Sequence, residues 1–130
     1  MPLVRITIRA GKSLQYKNAV LDGVHEALVQ AFKIPDHDRH QILSEHVKDH
    51  FEAPAGKTDS VTIIELTVFR GRSAEAKKLL YRTIVDILAK APGIPGDDII
   101  IVLHEPALEN WGIRGGKPAS EVDMGFKIDV

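Results

Sequence analysis

Apolar and polar residues alternate from the first few positions onward. Val4, Ile6 and Ile8 are interleaved with Arg5, Thr7 and Arg9, which predicts a short strand with one apolar face. Gly11-Lys12-Ser13 then reads as a turn in which Ser13 can cap a helix. Val20, Leu21, Val24, Ala27, Leu28, Ala31 and Phe32 recur at steps of three and four residues. That period predicts an amphipathic helix of about five turns, which Pro35 ends. Asp36 to Arg39 is a polar turn, His40 to Leu43 reads as a short strand, and Ser44 to Ser60, with Pro54 and Gly56, as a long surface loop.

The pattern then starts again. Ile64, Leu66 and Val68 predict a second strand, Phe69-Arg70-Gly71-Arg72 a turn, and Ser73 a second helix cap. Ala76, Leu80, Thr83, Ile84, Ile87, Leu88 and Ala91 form the next helical stripe, stopped by Pro92-Gly93. The five apolar residues Ile99 to Leu103 suit a strand covered on both faces. His104 to Glu121 reads as a loop. Val122, Met124, Phe126 and Ile128 alternate as a short C-terminal strand would.

A shift of 60 residues superposes the chain on itself without a gap. Gly11 falls on Gly71, Ser13 on Ser73, Lys17 on Lys77, Pro35 on Pro95, Asp38 on Asp98 and Glu45 on Glu105. This predicts an α+β chain of two β-α-β repeats, about 2–45 and 62–105, each with a right-handed crossover. Together they make a four-stranded sheet with both helices on one face, in one domain spanning 1–130. The other sheet face, assigned Ile63, Phe69 and half of the Ile99–Leu103 run, is left without a partner, and symmetric association would cover it.

Composition narrows the function classes. A formal net charge of -1 gives no support for nucleic acid or an anionic membrane as partner. With no cysteine, disulfides, thiolate chemistry and Cys-based zinc sites are excluded. No apolar run approaches a spanning helix and the first residues are not a signal peptide, so a cytoplasmic location is the default expectation. His46 and His50 have a helical metal-pair spacing but sit in a polar loop without a third ligand, so no metal is expected. His25 reads as a helix-surface residue. Gly115-Gly116-Lys117-Pro118 lacks the frame of a phosphate loop.

Pro2 opens the first strand. Removal of Met1, usual before a small second residue, would leave a secondary amine held by a sheet. Such an amine can act as acid, base or nucleophile near neutral pH. The alternative is an ordinary strand-edge proline.

The chain resembles the tautomerase superfamily, and within it the malonate semialdehyde decarboxylase group. The resemblance rests on Pro2-Leu3, the run Ile34-Pro35-Asp36-His37-Asp38-Arg39, the turn Arg70-Gly71-Arg72-Ser73 with the Tyr81-Arg82-x-x-Val85-Asp86 helix, and Glu109-Asn110-Trp111-Gly112. It implies a homotrimer, no cofactor, and a small oxo-acid substrate. It also implies a catalytic set of Pro2, Arg70, Arg72 and Asp38. Two guanidinium forks can hold a carboxylate bidentately, which fits Arg70 and Arg72 as substrate-binding residues, with Trp111 as a pocket wall. The loop Asp49 to Asp59 shows no family pattern. In Trp111-Gly112-Ile113-Arg114-Gly115-Gly116, Arg114 adds a cation foreign to the aromatic-rich segment of decarboxylases. The residues leave alternatives open: solvated arginines in a turn, a structural Asp38 matched by Asp98, a core Trp111, and a catalytically silent trimeric scaffold with a vestigial pocket. If Pro2 acts, nearby arginines favour its neutral form, a base, and a close carboxylate favours prolinium, which polarises a carbonyl.

Overall fold

The computed structural model describes residues 2–125 and 130. Strand β1 (Leu3–Arg9) leads through Ser13 into helix α1 (Leu14–Phe32), and β2 (His40–His46) follows. Strand β3 (Thr62–Thr67) leads through Ser73 into α2 (Ala74–Lys90) and then β4 (Ile99–His104). The sheet order is β2-β1-β3-β4. β1 runs parallel to β2 and β3 parallel to β4, while β1 and β3 are antiparallel. These are the two expected β-α-β units, joined through their first strands.

The local chemistry of the two units matches. Ser13 accepts from Tyr16 N at 3.0 Å and Ser73 from Ala76 N at 3.1 Å, so each helix starts on a serine cap. Lys17 pairs with Glu45, and Lys77 pairs with Glu105 at 2.7 Å, tying each helix to the end of its own second strand. Val4, Ile6, Ile8, Ile64 and Leu66 point from the sheet onto Val24, Leu28, Leu80, Ile84 and Leu88 of the helices. Each fully buried Leu or Ile contributes about 1.5–3 kcal/mol.

The repeat reaches further than 45 and 105. Two short 3-10 helices, Lys48–His50 and Leu108–Asn110, stand 60 residues apart. Each presents an aromatic residue at its end. Arg9 lies over the Phe51 ring at 5.7 Å, and Phe69, 60 residues on, packs against Trp111 at 4.7 Å. Identity alone hides this correspondence, because Lys48-Asp49-His50-Phe51 and Leu108-Glu109-Asn110-Trp111 share no residue.

Several expectations are corrected. β2 runs on through Ser44, Glu45 and His46, because an edge strand with little buried surface needs no apolar alternation. His46 therefore ends a strand while His50 ends a 3-10 helix, so the two do not share a helix. Ile100 and Val102 are exposed, so the apolar run of β4 is covered on one face within this chain. Phe69 is fully buried beyond the end of β3 and is not on the open face. The stretch after His104 contains a two-stranded hairpin, β5 (Gly112–Ile113) with β6 (Lys117–Pro118). Val122 and Met124 are not in a strand, and the Phe126 and Ile128 part of the expected C-terminal strand lies outside the described residues. Val130 returns to the start of α2, where its carbonyl accepts from Ser73 N at 2.7 Å.

Candidate active site

The antiparallel pairing of β1 with β3 decides which residues meet. Leu3 is opposite Thr67 on one side and His40 on the other. Pro2, one residue earlier and buried, therefore lies at the sheet end where Asp38-Arg39 enters β2 and Val68-Phe69 leaves β3. Arg70 and Arg72 follow directly. Glu105 follows His104, which pairs with Thr67, at the same end.

The two arginines differ in setting. Arg70 is exposed. Arg72 is only 7% exposed, with its guanidinium 4.8 Å over the Phe32 ring and its Nη1 donating to the Phe69 carbonyl at 3.0 Å. Its Nε is buried without a hydrogen-bond partner among the described residues. Burial lowers its pKa, and the charges of Glu105 and Asp38 push the other way without reversing that direction. Arg72 still stays cationic at any working pH. The influence of Asp38 puts that carboxylate within electrostatic reach of Arg72.

A hollow of about 250 Å3 opens beside Asp38, walled by His37, His40, Phe69, Ile113 and Arg114. Trp111 is not on this wall. Its indole packs behind Phe69 and its Nε1 donates to the Pro106 carbonyl at 3.2 Å, so in this chain Trp111 is a buried anchor and Phe69 is the wall. The physical reason is the repeat: Trp111 fills the place that Phe51 fills at the other sheet end.

That other end holds the counterpart hollow, about 100 Å3, lined by Pro54, Thr62, Asp97, Asp98 and Ile100, with Phe51 over it. Under the 60-residue shift these positions correspond to Arg114, Pro2, His37, Asp38 and His40, and Phe51 to Trp111. The two ends have diverged. Asp98 is buried and spends both oxygens on Thr58, one on its amide at 3.1 Å and the other on its hydroxyl. Arg9 holds the covering loop, donating to the Phe51 carbonyl at 2.8 Å and to Asp59 at 3.0 Å. Asp98 is thus a structural residue. Asp38 is half-buried at the rim of the larger, more polar hollow.

His25 was expected on the helix surface and is buried instead. Its Nε2 lies 2.7 Å from the Asp36 carbonyl. A carbonyl only accepts, so Nε2 carries the proton. This bond pins the turn that carries His37 and Asp38. Its position next to Val24 and Leu28 in the buried stripe was the available signal.

Two models described as tautomerase enzyme match the chain, one over residues 38–114, more than half of its length, and one over 2–57. The chain belongs to the tautomerase family. A probable tautomerase of Bacillus subtilis, YusQ, is 27% identical over 122 residues, covering 90% of this chain and 96% of that protein. A malonate semialdehyde decarboxylase inhibited by 3-bromopropiolate is 34% identical, with 89% of this chain and 92% of that chain covered, at a TM-score of 0.81. A fused 4-OT solved as a wild-type symmetric trimer shares the fold at a TM-score of 0.80 and 24% identity, covering 91% of this chain and 96% of that one. Among the described residues, no helix is long and apolar enough to cross a membrane.

Proposed function

We propose that this tautomerase-family chain is a cofactor-independent enzyme acting on small oxo-carboxylic acids through the amine of Pro2, freed by removal of Met1. Arg70 captures the substrate carboxylate from solvent, and the buried Arg72 supplies fixed positive charge and an Nε–H that has no hydrogen-bond partner among the described residues. Asp38 at the rim orients the reacting group or a water. A neutral Pro2 amine moves a proton from carbon to oxygen in a 2-oxo acid. In its charged form it polarises a 3-oxo group so that carbon dioxide can leave. The decarboxylase among the structural relatives favours keeping the second reaction in view.

One observation carries this reading: the antiparallel β1–β3 register, which brings the start of β1, the entry to β2 and the Arg70–Arg72 turn to one end of the sheet. A parallel β1–β3 pairing would have set Pro2 and the arginines at opposite ends.

The reading includes a homotrimer. Leu3, Ile42, Ile100 and Val102 are exposed on the sheet face away from the helices, and a fused 4-OT of the same fold is a symmetric trimer.

The test is turnover of phenylpyruvate and malonate semialdehyde by untagged protein whose intact mass shows Met1 removed. Pro2→Ala is expected to lose turnover by about 100-fold or more, within the range of general acid–base catalysis. Unchanged turnover in Pro2→Ala rejects the proline mechanism and leaves a silent scaffold.

A further inference from the structure

The turn that carries Asp38 is held from helix α1. His25 is 5% exposed and sits one turn after Asp22 on the same side of that helix. Its Nε2 donates to the Asp36 carbonyl at 2.7 Å, and Arg39 Nη2 donates to Asp22 at 2.5 Å. The two contacts bracket His37 and Asp38. The Asp22–Arg39 pair is exposed, and the Asp36 carboxylate, 3.5 Å from the same His25 nitrogen, is 95% exposed, so both contribute little. The buried imidazole is the main fastening. Asp38 and Arg39 themselves belong to no helix or strand, and β2 begins only at His40.

The internal repeat shows that the fold does not need this bond. Under the 60-residue shift His25 corresponds to Val85 and Asp36 to Gly96. There the helix meets the turn through the Val85 methyl, so close that a Cβ on Gly96 would lie 3.1 Å from it. Asp22 corresponds to Arg82 and Arg39 to Ile99, which cannot form an ion pair. Gly96–Asp98 makes a 3-10 turn that runs straight into β4, and Asp98 is fixed by Thr58 instead. Both turns close with the same backbone bond: the Asp38 amide donates to the Pro35 carbonyl and the Asp98 amide to the Pro95 carbonyl, each at 3.0 Å. Closing the turn therefore needs no histidine. What His25 adds is a directional bond, which weakens steeply with misalignment. It sets where the turn stands against α1, at the sheet end that carries Pro2 and the arginine turn.

We propose that His25 is a positioning residue of the reaction: its Nε2–H fixes the Asp36 carbonyl and thereby holds the Asp38 carboxylate in its working place at the rim of the hollow. The inference rests on the reading of Asp38 as the residue that orients the reacting group or a water. His25 is not on the wall of the hollow, so it acts through the backbone between Asp36 and Asp38. A displacement of about 1 Å at a reacting site can cost about 100-fold in rate.

The experiment follows deuterium exchange at C3 of phenylpyruvate by untagged protein beginning at Pro2. His25→Val combined with Asp36→Gly copies the counterpart pair and is expected to melt close to the wild type. Its kcat should fall about tenfold or more, with KM changed by less than about twofold. His25→Gln, whose side-chain amide donates from a similar reach, should recover most of kcat. A double-mutant cycle with Asp38→Asn tests the route: the loss on replacing His25 should vanish once the carboxylate is gone. If the copied pair does not fold, His25→Leu, close in volume to the imidazole, takes its place under the same criteria. Full kcat in the folded variant, or the same fold-loss with and without the Asp38 carboxylate, overturns the proposal. The two readings fail separately. Wild-type turnover in Asp38→Asn removes the role of Asp38 and this proposal with it. An impaired Asp38→Asn beside unimpaired His25 variants removes this proposal alone. If the wild type does not exchange phenylpyruvate, the carboxyl-carbon NMR signal that Asp38→Asn deletes decides. Movement of that signal in the variant without the imidazole, reversed in His25→Gln, supports the positioning role. The same signal position in all three proteins overturns it.

Discussion

At Asp98 two forces oppose each other. Burial pushes its pKa up, but hydrogen bonds from the Thr58 hydroxyl and amide, with the charges of Lys57 and Arg9, bring it below its ordinary value. A carboxylate with a depressed folded pKa contributes stability above the unfolded value, and that contribution fades as pH falls through the folded one. Asp98→Asn is therefore expected to cost about 1–2 kcal/mol in denaturant unfolding at pH 7. The gap between variant and wild type should narrow below pH 3.8, the unperturbed value. The partner position, Asp38, is half-buried at the rim of the hollow on the sheet end of Pro2, and Asp38→Asn is expected to lower turnover, measured beside its unfolding. The two arginines separate in the same way. Arg70→Ala should raise KM about tenfold, because an exposed residue can be removed without repacking. Arg72→Ala should weaken capture and also unfold about 1–3 kcal/mol more easily, because the Phe69 carbonyl loses its buried donor and the Phe32 ring its cover. Kinetics and melting of the two variants, side by side, check this division.

Among the elements, the helices were the most legible from sequence. Their serine caps, apolar stripes and proline stops each have one local cause, and the structure keeps them except at Ala91, which is exposed and extended just past the end of α2 at Lys90. The strands were legible where one face is buried, as in β1 and β3, and were cut short in β2, whose Ser44-Glu45-His46 end is polar because it lies at an exposed edge. The direction of β1 against β3 had no local signal, and the meeting of Pro2 with the arginine turn depends on it. The anchors Phe51 and Trp111 were missed for a related reason: the repeat conserves their place and not their identity. Trp111 was consequently taken for a pocket wall. A further element-level prediction concerns the α1–α2 crossing. A methyl group at Gly23 would sit 2.9 Å from Leu88 Cδ2 and 3.0 Å from Ile87 Cγ2. Gly23→Ala gains about 1 kcal/mol of helix propensity but overpacks the crossing by about 1–3 kcal/mol. The net expectation is a lower melting temperature, measured by circular dichroism, in a helix position where alanine would ordinarily stabilise.

Seen whole, the molecule is two similar halves whose ends have been put to different uses. One end is closed by Phe51 and its loop, with Arg9 and Asp98 as the fastening. The other leaves a larger hollow with Asp38, Arg114 and two histidines on its wall. The sheet face opposite the helices stays apolar at Ile42 and Ile100, which are 60% and 56% exposed. If copies of the chain cover that face, Ile42→Glu should convert the assembly to monomers in light scattering, with helix content retained. The account as a whole depends on a free imino nitrogen at Pro2 doing proton chemistry beside the arginine turn. The most direct measurement is deuterium exchange at C3 of phenylpyruvate, with two proteins that differ at one place: mature protein beginning at Pro2, and the same chain with one residue retained before it. The account predicts rapid exchange by the first and a loss of about 100-fold or more in the second, whose Pro2 nitrogen is an amide without basicity. Equal exchange rates for the two proteins would contradict it.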